Sequence, residues 1–442
     1  MAESTGARAE ILAVAPWLTA ADLGTCVVGS AALAEACARA GVPGPASHDL
    51  DLAWALDPAA GEALLRERGV FEPTTEANRA RGTLALRLGA KRVEITSFRA
   101  GDPRAPMAER IAADLCARDM SVGALAWWLA EDRILDPLRG LDHWREKRIV
   151  AAGDPAERIR EHPVRHLRYY RRAHEWGFTV DPAIRRVAPD PRVLARIPGE
   201  ALAAELRFGL LRAASPGRFL LEVHEVGLLP HLLPELAPQF DGRPAGPIRH
   251  HPEVSQAQHL VLALEWAVRR VRDLPEADRL AVLLAVLVHD LGKSATTPAE
   301  WPSHRGHERE GVKLLHTLLA RVPSLADTQT VRLCEAVCEL HLLARQPEAL
   351  RPGTQVDLYE EWLRRGLRDD LFALALGADV GGRLGREAEG DALVAHVRAF
   401  LARLRARCES VDAAALRAQC GDDLPRFRAL LHEARARALR DG

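Results

Sequence analysis

Aromatic residues make up only 5% of the 442 positions, and only three residues are Met. Any packed core must therefore rest on Leu, Ala and Val, and Leu and Ala are the strongest helix formers. No apolar run approaches the roughly 18 residues of a membrane span, so no membrane role is expected. The polar stretch Met1–Glu10 lacks the basic-then-apolar pattern of a secretory signal. An excess of charge of one sign is also missing, since the formal net charge is −1. No global positive field exists to hold a polyanion, and any such partner needs a local patch. Lys occurs only at 91, 147, 293 and 313, so nearly all of the 60 basic residues are Arg. The seven Cys residues, at 26, 37, 116, 334, 338, 408 and 420, include no CxxC pair. That excludes a zinc ribbon and gives no disulfide framework. The expected class is a cytoplasmic enzyme or binding protein.

Apolar residues at 48% and charged residues at 27% provide ample core material, and the length suggests two to four domains at roughly 100–200 residues each. One change of texture runs along the chain. Between about 22 and 100, short β-like runs alternate with helical ones: Thr25 to Val28, Leu50 to Leu56, Leu84 to Leu88 and Arg92 to Phe98. Beyond about 105 the pattern reads as amphipathic helix broken by Pro or Gly. Pro-rich breaks near 182–198 and 238–252 mark boundaries. The expected organisation is a mixed α/β head at 1–140, a helical neck and body at 141–245, a helical domain at 246–385 and a helical tail at 386–442.

The first chemical constellation is Asp49-Leu50-Asp51. Strand side chains alternate faces, so residues i and i+2 project from one side. Two carboxylates held there form a hard oxygen site suited to Mg²⁺, which clamps a nucleotide triphosphate in phosphoryl transfer. Upstream, Val27 to Ala31 reads as a strand turning at Gly29 and Ser30 into a helix, whose backbone N–H groups meet phosphate. Downstream, Glu94 is a candidate third carboxylate.

Further motifs follow in order: Asp114 to Ser121 with Arg118-Asp119, Ile134 to Asp142 with Asp136-Pro137, and Arg160 to Arg171 with Glu161-His162-Pro163-Val164-Arg165 and Arg168. With the paired aspartates, this set resembles the class II tRNA nucleotidyltransferase/poly(A) polymerase family over roughly 25–385. The likeness is to the bacterial CCA-adding enzymes that carry an HD domain. The resemblance implies that Asp49 and Asp51 bind the metal that positions the triphosphate and activates the tRNA 3′-hydroxyl. It implies that Arg118, with Asp119, contacts nucleotide, and that Glu161, His162, Arg165 and Arg168 read the base edge and the phosphates. Glu161, Arg165 and Arg168, at i, i+4 and i+7, are expected on one helical face. From Arg139 to Arg172 there are ten basic and five acidic residues, a local cationic stretch.

The chain departs from the family pattern in four places. The GGxxRD loop is Gly29-Ser30-Ala31-Ala32-Leu33-Ala34, the doubled Arg of RRD is Ala117-Arg118 with Gly123 for the following Asn, the ED pair is Glu161-His162, and the ERxxxE stretch survives only as Glu200-Ala201 with Glu205.

The second constellation is a concentration of histidine, eight of 17 falling between 250 and 341. Arg279 to Val288 is a nearly apolar helix that ends in His289-Asp290-Leu291-Gly292-Lys293. Adjacent His and Asp at the end of a buried helix can ligate a metal from one turn. This order is similar to the HD-domain phosphohydrolases. The similarity implies a first metal on His259, His289, Asp290 and Asp379, with His304, His307 and His341 holding a second. Lys293 is expected to meet phosphate, and His250 and His251 are read as boundary residues. Mixed His and Asp ligation suits Mn²⁺, Ni²⁺, Fe²⁺ or Zn²⁺ better than Mg²⁺.

The implied fold is α+β, a mixed-sheet nucleotidyltransferase head followed by an all-helical body and an all-helical HD domain. The implied function is CMP and AMP addition from CTP and ATP to a tRNA or other RNA 3′ end, with metal-dependent phosphoester hydrolysis by the HD domain. The alternative is an HD phosphohydrolase acting on RNA ends or nucleotides, whose head only binds RNA or nucleotide. The sequence leaves oligomeric state open.

Overall fold

The computed structural model describes residues 6–46 and 49–440; the first five residues of the N-terminal stretch discussed above lie outside it. The chain divides into two units, Met1–Val187 and Ala188–Gly442. This partition is coarser than the four segments expected from sequence.

In the first unit, seven strands form one sheet. They are β1 (Cys26–Val28), β2 (Asp51–Trp54), β3 (Phe71–Glu72), β4 (Thr83–Leu88), β5 (Lys91–Ser97), β6 (Ala126–Trp128) and β7 (Arg133–Leu135), in the order β3-β4-β5-β2-β1-β6-β7. Only β2 and β5 pair in parallel, so the sheet is mixed. The four β-like runs of the sequence are β1, β2, β4 and β5. The expectation that nearly everything beyond 105 is helical needs correction, because β6 and β7 extend the sheet. A two-residue parallel pair, Arg148–Ile149 with Thr179–Val180, also lies in the neck expected to be all helix. Three-residue strands, Ala-Trp-Trp in β6 and Arg-Ile-Leu in β7, are too short to show a period-2 alternation. Asp132, at φ 50°, turns the β6–β7 hairpin and accepts the Trp127 indole N–H at 2.8 Å.

Helix α1 (Gly29–Arg39) leaves directly from β1, and α2 (Met107–Cys116) places Ile111 and Leu115 in a core with Cys26, Val28, Ala53 and Ala126. Two further helices follow, α3 (Pro155–Glu161) and α4 (Val164–Trp176). The single helical face expected across Glu161, Arg165 and Arg168 is interrupted. His162 is extended at φ −137°, ψ 90°, because a residue preceding Pro is sterically pushed out of the α region.

The second unit is helical. Its centre is α5 (Gln256–Val271), α6 (Glu276–Val288), α7 (His307–Arg321), α8 (Thr328–Leu340) and α9 (Asp369–Gly381), followed by α10 (Glu387–Glu409). Every residue from Leu280 to Val288 is buried, so α6 is apolar all round, as a central helix must be. At its end Gly292 lets the chain touch α7, since a Cβ there would lie 1.8 Å from the His307 carbonyl oxygen. No helix among the described residues is long and apolar enough to cross a membrane.

Candidate active sites

In the first unit the sheet register places Asp51 beside Val28 of β1 and Glu94 of β5. Asp49 lies just before β2 rather than within it. The Asp51 carboxyl is raised by partial burial and then by repulsion from Asp49 and Glu94, with Arg118 opposing. Asn78 Nδ2 donates to Glu94 Oε1 at 3.2 Å. Gly29 takes φ +68°, and a Cβ there would stand 3.4 Å from Asp51 Oδ2. That conformation and that proximity both favour glycine. Ser30 follows in the first turn of α1. The three carboxylates form an open acidic cluster. A cation there relieves the repulsion that lifts Asp51, and Mg²⁺ needs only one or two protein carboxylates when phosphates complete its shell. The donor set therefore fits a divalent cation bound with a triphosphate.

Beside it, Arg99, Arg118, Asp119, Gly123, Arg165 and Arg168 line a cleft of about 240 Å³. Asp114, buried in α2, builds one wall: Oδ1 accepts the Arg99 backbone N–H at 2.9 Å and Oδ2 accepts Arg118 at 3.0 Å. Arg165, also buried, donates to Glu161 Oε2 at 3.0 Å and to the Ala117 carbonyl at 3.3 Å. Arg168 donates to Asp119 Oδ2 at 3.3 Å, and the Tyr169 hydroxyl donates to the Asp119 carbonyl at 2.9 Å. Burial alone would raise the Asp119 carboxyl, but Arg168, Arg165 and Arg172 outweigh it and hold it low. Arg99 is itself lowered by burial and by the Arg118 charge. Four guanidinium groups around one carboxylate make a cleft for an anion with several oxygens. His162, exposed at the break between α3 and α4, is lowered by partial burial and by Arg165, so its imidazole is neutral at pH 7. Sequence reasoning missed Arg99 and the positioning role of Asp114. Arg99 lies just beyond β5, outside any motif.

In the second unit, side chains from five segments converge. His259 comes from α5, His289 and Asp290 from the end of α6, His307 from α7, His341 from the end of α8 and Asp379 from α9. All six are buried. Two donor groups result, His259–His289–Asp379 and Asp290–His307–His341, each with its ligand atoms within 4.8 Å of one another. Asp290 links them. Its Oδ2 is 3.1 Å from His289 Nε2, and its Oδ1 is 3.2 Å from His307 Nε2 and 3.6 Å from His341 Nε2. His259 Nε2 lies 3.3 Å from His289 Nε2 and 3.6 Å from Asp379 Oδ1.

The Nδ1 atoms of these histidines face acceptors: Glu253 Oε1 at 3.0 Å for His259, and the carbonyls of Val286, His304 and Val337 at 2.7–3.0 Å for His289, His307 and His341. Each Nδ1 therefore faces an acceptor behind the ring, and four Nε2 atoms point inward at two carboxylates. Burial would raise Asp290 and Asp379, but His289 and Lys293 outweigh it for the first and Arg345 and His259 for the second, leaving both well below the usual range. Burial would lower His259, yet Asp379 and Glu253 lift it to about 9. Converging Nε2 atoms, ionised carboxylates and a preference for positive charge fit divalent metals with mixed nitrogen and oxygen ligation.

Two expected residues stand elsewhere. His304 is engaged at both ring nitrogens, with Thr296 Oγ1 at 2.7 Å and the Pro244 carbonyl at 2.8 Å, so it joins neither donor group. The Lys293 ammonium spends its three donors on Asp290 Oδ2 at 2.6 Å, the Ala245 carbonyl at 2.6 Å and Gln256 Oε1 at 3.4 Å. It holds Asp290, and it also lines the cavity beside the ligands. His251, read as a boundary residue, belongs to the layer behind the ligands: Glu253 Oε1 joins its Nδ1 at 2.8 Å to that of His259. Glu253, Arg345 and Arg383 were not foreseen. Arg345 pairs with Asp379 Oδ2 at 3.0 Å and Arg383 with Oδ1 at 3.3 Å. Arg383 stands at i+4 from Asp379, a helical ion-pair spacing the sequence does show, whereas Glu253 and Arg345 have no such signal.

Comparison with known proteins covers both regions. Residues 36–150 match the Poly A polymerase head domain, and residues 257–366 match the HD domain. The chain is 37% identical over 284 residues to the Multifunctional CCA protein of Alkalilimnicola ehrlichii, a match that spans 62% of this chain and 65% of that relative. Against the protein of the same name from Azoarcus sp. it is 34% identical over 317 residues, covering 70% and 72%. The same fold occurs in the Bacillus stearothermophilus CCA-adding enzyme in complex with CTP, at a TM-score of 0.63 and 20% identity over 100% of this chain and 94% of that one. It also occurs in a tRNA nucleotidyltransferase complexed with a primer tRNA and an incoming ATP analog, at a TM-score of 0.53, 17% identity and coverage of 86% and 95%. A mixed-sheet head with paired aspartates, a helical unit with the HD ligand order, and this identity over most of a relative's length together place the chain in the Multifunctional CCA protein family.

Proposed function

We propose that the chain is a tRNA 3′-end nucleotidyltransferase that transfers CMP and AMP from CTP and ATP, and that its second unit is a metal-dependent phosphohydrolase. The observation that carries the first half is the juxtaposition of Asp51, raised by partial burial and then by Asp49 and Glu94, with the arginine-lined cleft whose Arg118 acts on the same carboxyl. Mg²⁺ bound there supplies charge neutralisation to the triphosphate and acidity to the attacking hydroxyl. Arg99, Arg118, Arg165 and Arg168 take the phosphate oxygens and the base edge, and Asp114 and Asp119 hold the guanidinium groups in place. The 3′-oxygen bonds to the α-phosphorus, pyrophosphate leaves, and the hydroxyl proton passes to base.

In the second unit the buried ligands select Mn²⁺, Ni²⁺ or a similar metal, which supplies Lewis acidity and a nucleophile at neutral pH. Water's oxygen bonds to phosphorus, one P–O ester bond breaks, and the released oxygen takes a proton. Glu253, Lys293, Arg345 and Arg383 fix the ligand carboxylates and His259. Action on tRNA places the protein in the cytoplasm.

The second reading, a head that binds without transferring, is favoured by the uncharged turn Gly29 to Ala34 at the start of α1. The deciding experiment supplies tRNA transcripts ending before, within and after CCA with each labelled nucleotide in turn, and assays the same preparation on 2′,3′-cyclic AMP with Mn²⁺ or Ni²⁺. Incorporation of CMP then AMP supports the first reading. Hydrolysis without incorporation supports the second.

A further inference from the structure

Behind the buried ligands of the second unit lie two uncharged amides. Gln256 is the first residue of α5, one turn ahead of His259. Its side chain is fully buried, as is that of Gln239 in the short turn Ala237–Phe240. Gln256 Nε2 donates to Asp290 Oδ2 at 3.3 Å and to Gln239 Oε1 at 3.3 Å, while Gln256 Oε1 accepts from Lys293 Nζ at 3.4 Å. The neighbours dictate which way this amide faces. Turned over, it would set its own N–H groups against an ammonium and its oxygen against two acceptors.

The Gln239 Nε2 atom is buried with no hydrogen-bond partner among the described residues, which is a cost to folding. A leucine there would avoid that cost. What the Gln239 amide contributes is the acceptor that holds Gln256 in one orientation. Asp290 Oδ2 is then anchored by two donors, Lys293 at 2.6 Å and Gln256. The carboxylate resists turning, and Oδ1 stays directed at His307 Nε2, 3.2 Å away, and His341 Nε2, 3.6 Å away. Gln256 and His259 share the first turn of α5, so the same bond ties the helix that carries one donor group to the carboxylate of the other.

Resting on the proposed metal-dependent phosphohydrolase, we infer that Gln256 is a positioning residue that fixes Asp290 for metal binding, and that Gln239 fixes the Gln256 amide. A neutral donor suits this place. It orients the carboxylate without adding the positive charge that a second lysine would bring against a divalent cation.

The test uses the full chain, stripped of metal with a chelator and titrated with Mn²⁺, and needs no turnover. Gln256→Met keeps the length of the side chain and removes both hydrogen-bonding groups, and its Kd for Mn²⁺ should rise roughly tenfold or more. Gln239→Leu should raise the Kd in the same direction by less. The Tm of its metal-free form should stay level or rise, because an unpaired buried donor has been removed. Co²⁺ loaded into each variant should show a shifted visible absorption band, the signature of an altered ligand geometry. Lower Tm values with the Mn²⁺ affinity and the Co²⁺ band unchanged would show that both amides serve packing alone, overturning the inference and leaving the hydrolase reading standing. Failure of the unmodified chain to bind either metal would overturn the hydrolase reading as well.

Discussion

The two candidate sites handle charge in opposite ways. In the head, Asp51 stands at the start of β2, and its carboxyl is raised by partial desolvation and then by repulsion from Asp49 and Glu94, which Arg118 only partly offsets. In the helical unit every metal-facing residue is buried and both carboxylates are held ionised by partners on several sides. The difference follows from what each site receives. On the proposed function a triphosphate brings its own oxygens and charge, so the head needs only one or two carboxylates on the metal and an open approach. A site that must hold its metal between turnovers needs a complete inner shell and a second layer that fixes each tautomer.

The largest expected effects separate the two sites. Asp290→Ala, which removes the residue linking both donor groups, should reduce phosphohydrolysis at least a thousandfold and strip metal from the purified protein, with nucleotide addition kept. Asp51→Ala should do the reverse. Activity on a labelled tRNA transcript, activity on 2′,3′-cyclic AMP and metal content of each folded variant check the pair. If one substitution abolished both activities in a folded protein, the contrast between two independent sites would collapse.

Next in size is the second layer. Glu253→Gln keeps the shape but removes the charge that faces His259 Nδ1 at 3.0 Å, and substitutions of this kind cost roughly 10–100-fold in metal affinity. Titration with Mn²⁺ measures it, and unchanged affinity would show that His259 is held by packing alone. Lys293→Met should act in the same direction, weakening metal affinity through Asp290. A rise in KM for substrate with metal affinity intact would instead return Lys293 to a phosphate contact. In the head, Arg99→Ala and Arg168→Ala each remove one charged hydrogen-bond donor, worth about 1.5–3 kcal/mol. The KM for nucleotide should rise by about ten- to a hundredfold, and Arg99, which no motif marks, is the sharper test of the cleft.

The same contrast explains what could be read in the chain. The ligands of the helical unit were legible because His289-Asp290 closes an apolar helix and the other histidines follow in a fixed order. Of their supports, Arg383 stood at i+4 from Asp379, but Glu253 and Arg345 reach the site through tertiary packing that no spacing rule encodes. The strands β1, β2, β4 and β5 were legible from β-branched or alternating runs, whereas β6 and β7 are too short to show a period. The helix break at His162 was written in Pro163, but the i, i+4, i+7 spacing masked it. The ion pair between Glu161 and Arg165 survives that break at 3.0 Å.

The smallest effect concerns His162, which stands where the family has Asp. Burial and the Arg165 charge lower its pKa below the ordinary 6.5, so the neutral ring persists at pH 7 and takes a proton only on further acidification. Neutral imidazole offers one acceptor and one donor; the protonated ring offers two donors. An acceptor pairs with the exocyclic amino group of C, and a donor pairs with the corresponding carbonyl of U. Discrimination between CTP and UTP should therefore be modest and flat from pH 7 to 8, and should fall as the pH drops below 6 and the acceptor is lost. His162→Asp supplies acceptors only and should raise the CTP preference about tenfold, equivalent to roughly 1.4 kcal/mol, and should remove the fall just below pH 6. Incorporation of CMP and UMP measured at pH 5.5, 7 and 8 decides it. A strict CTP preference in the unmodified protein at all three values would show that another group reads the base.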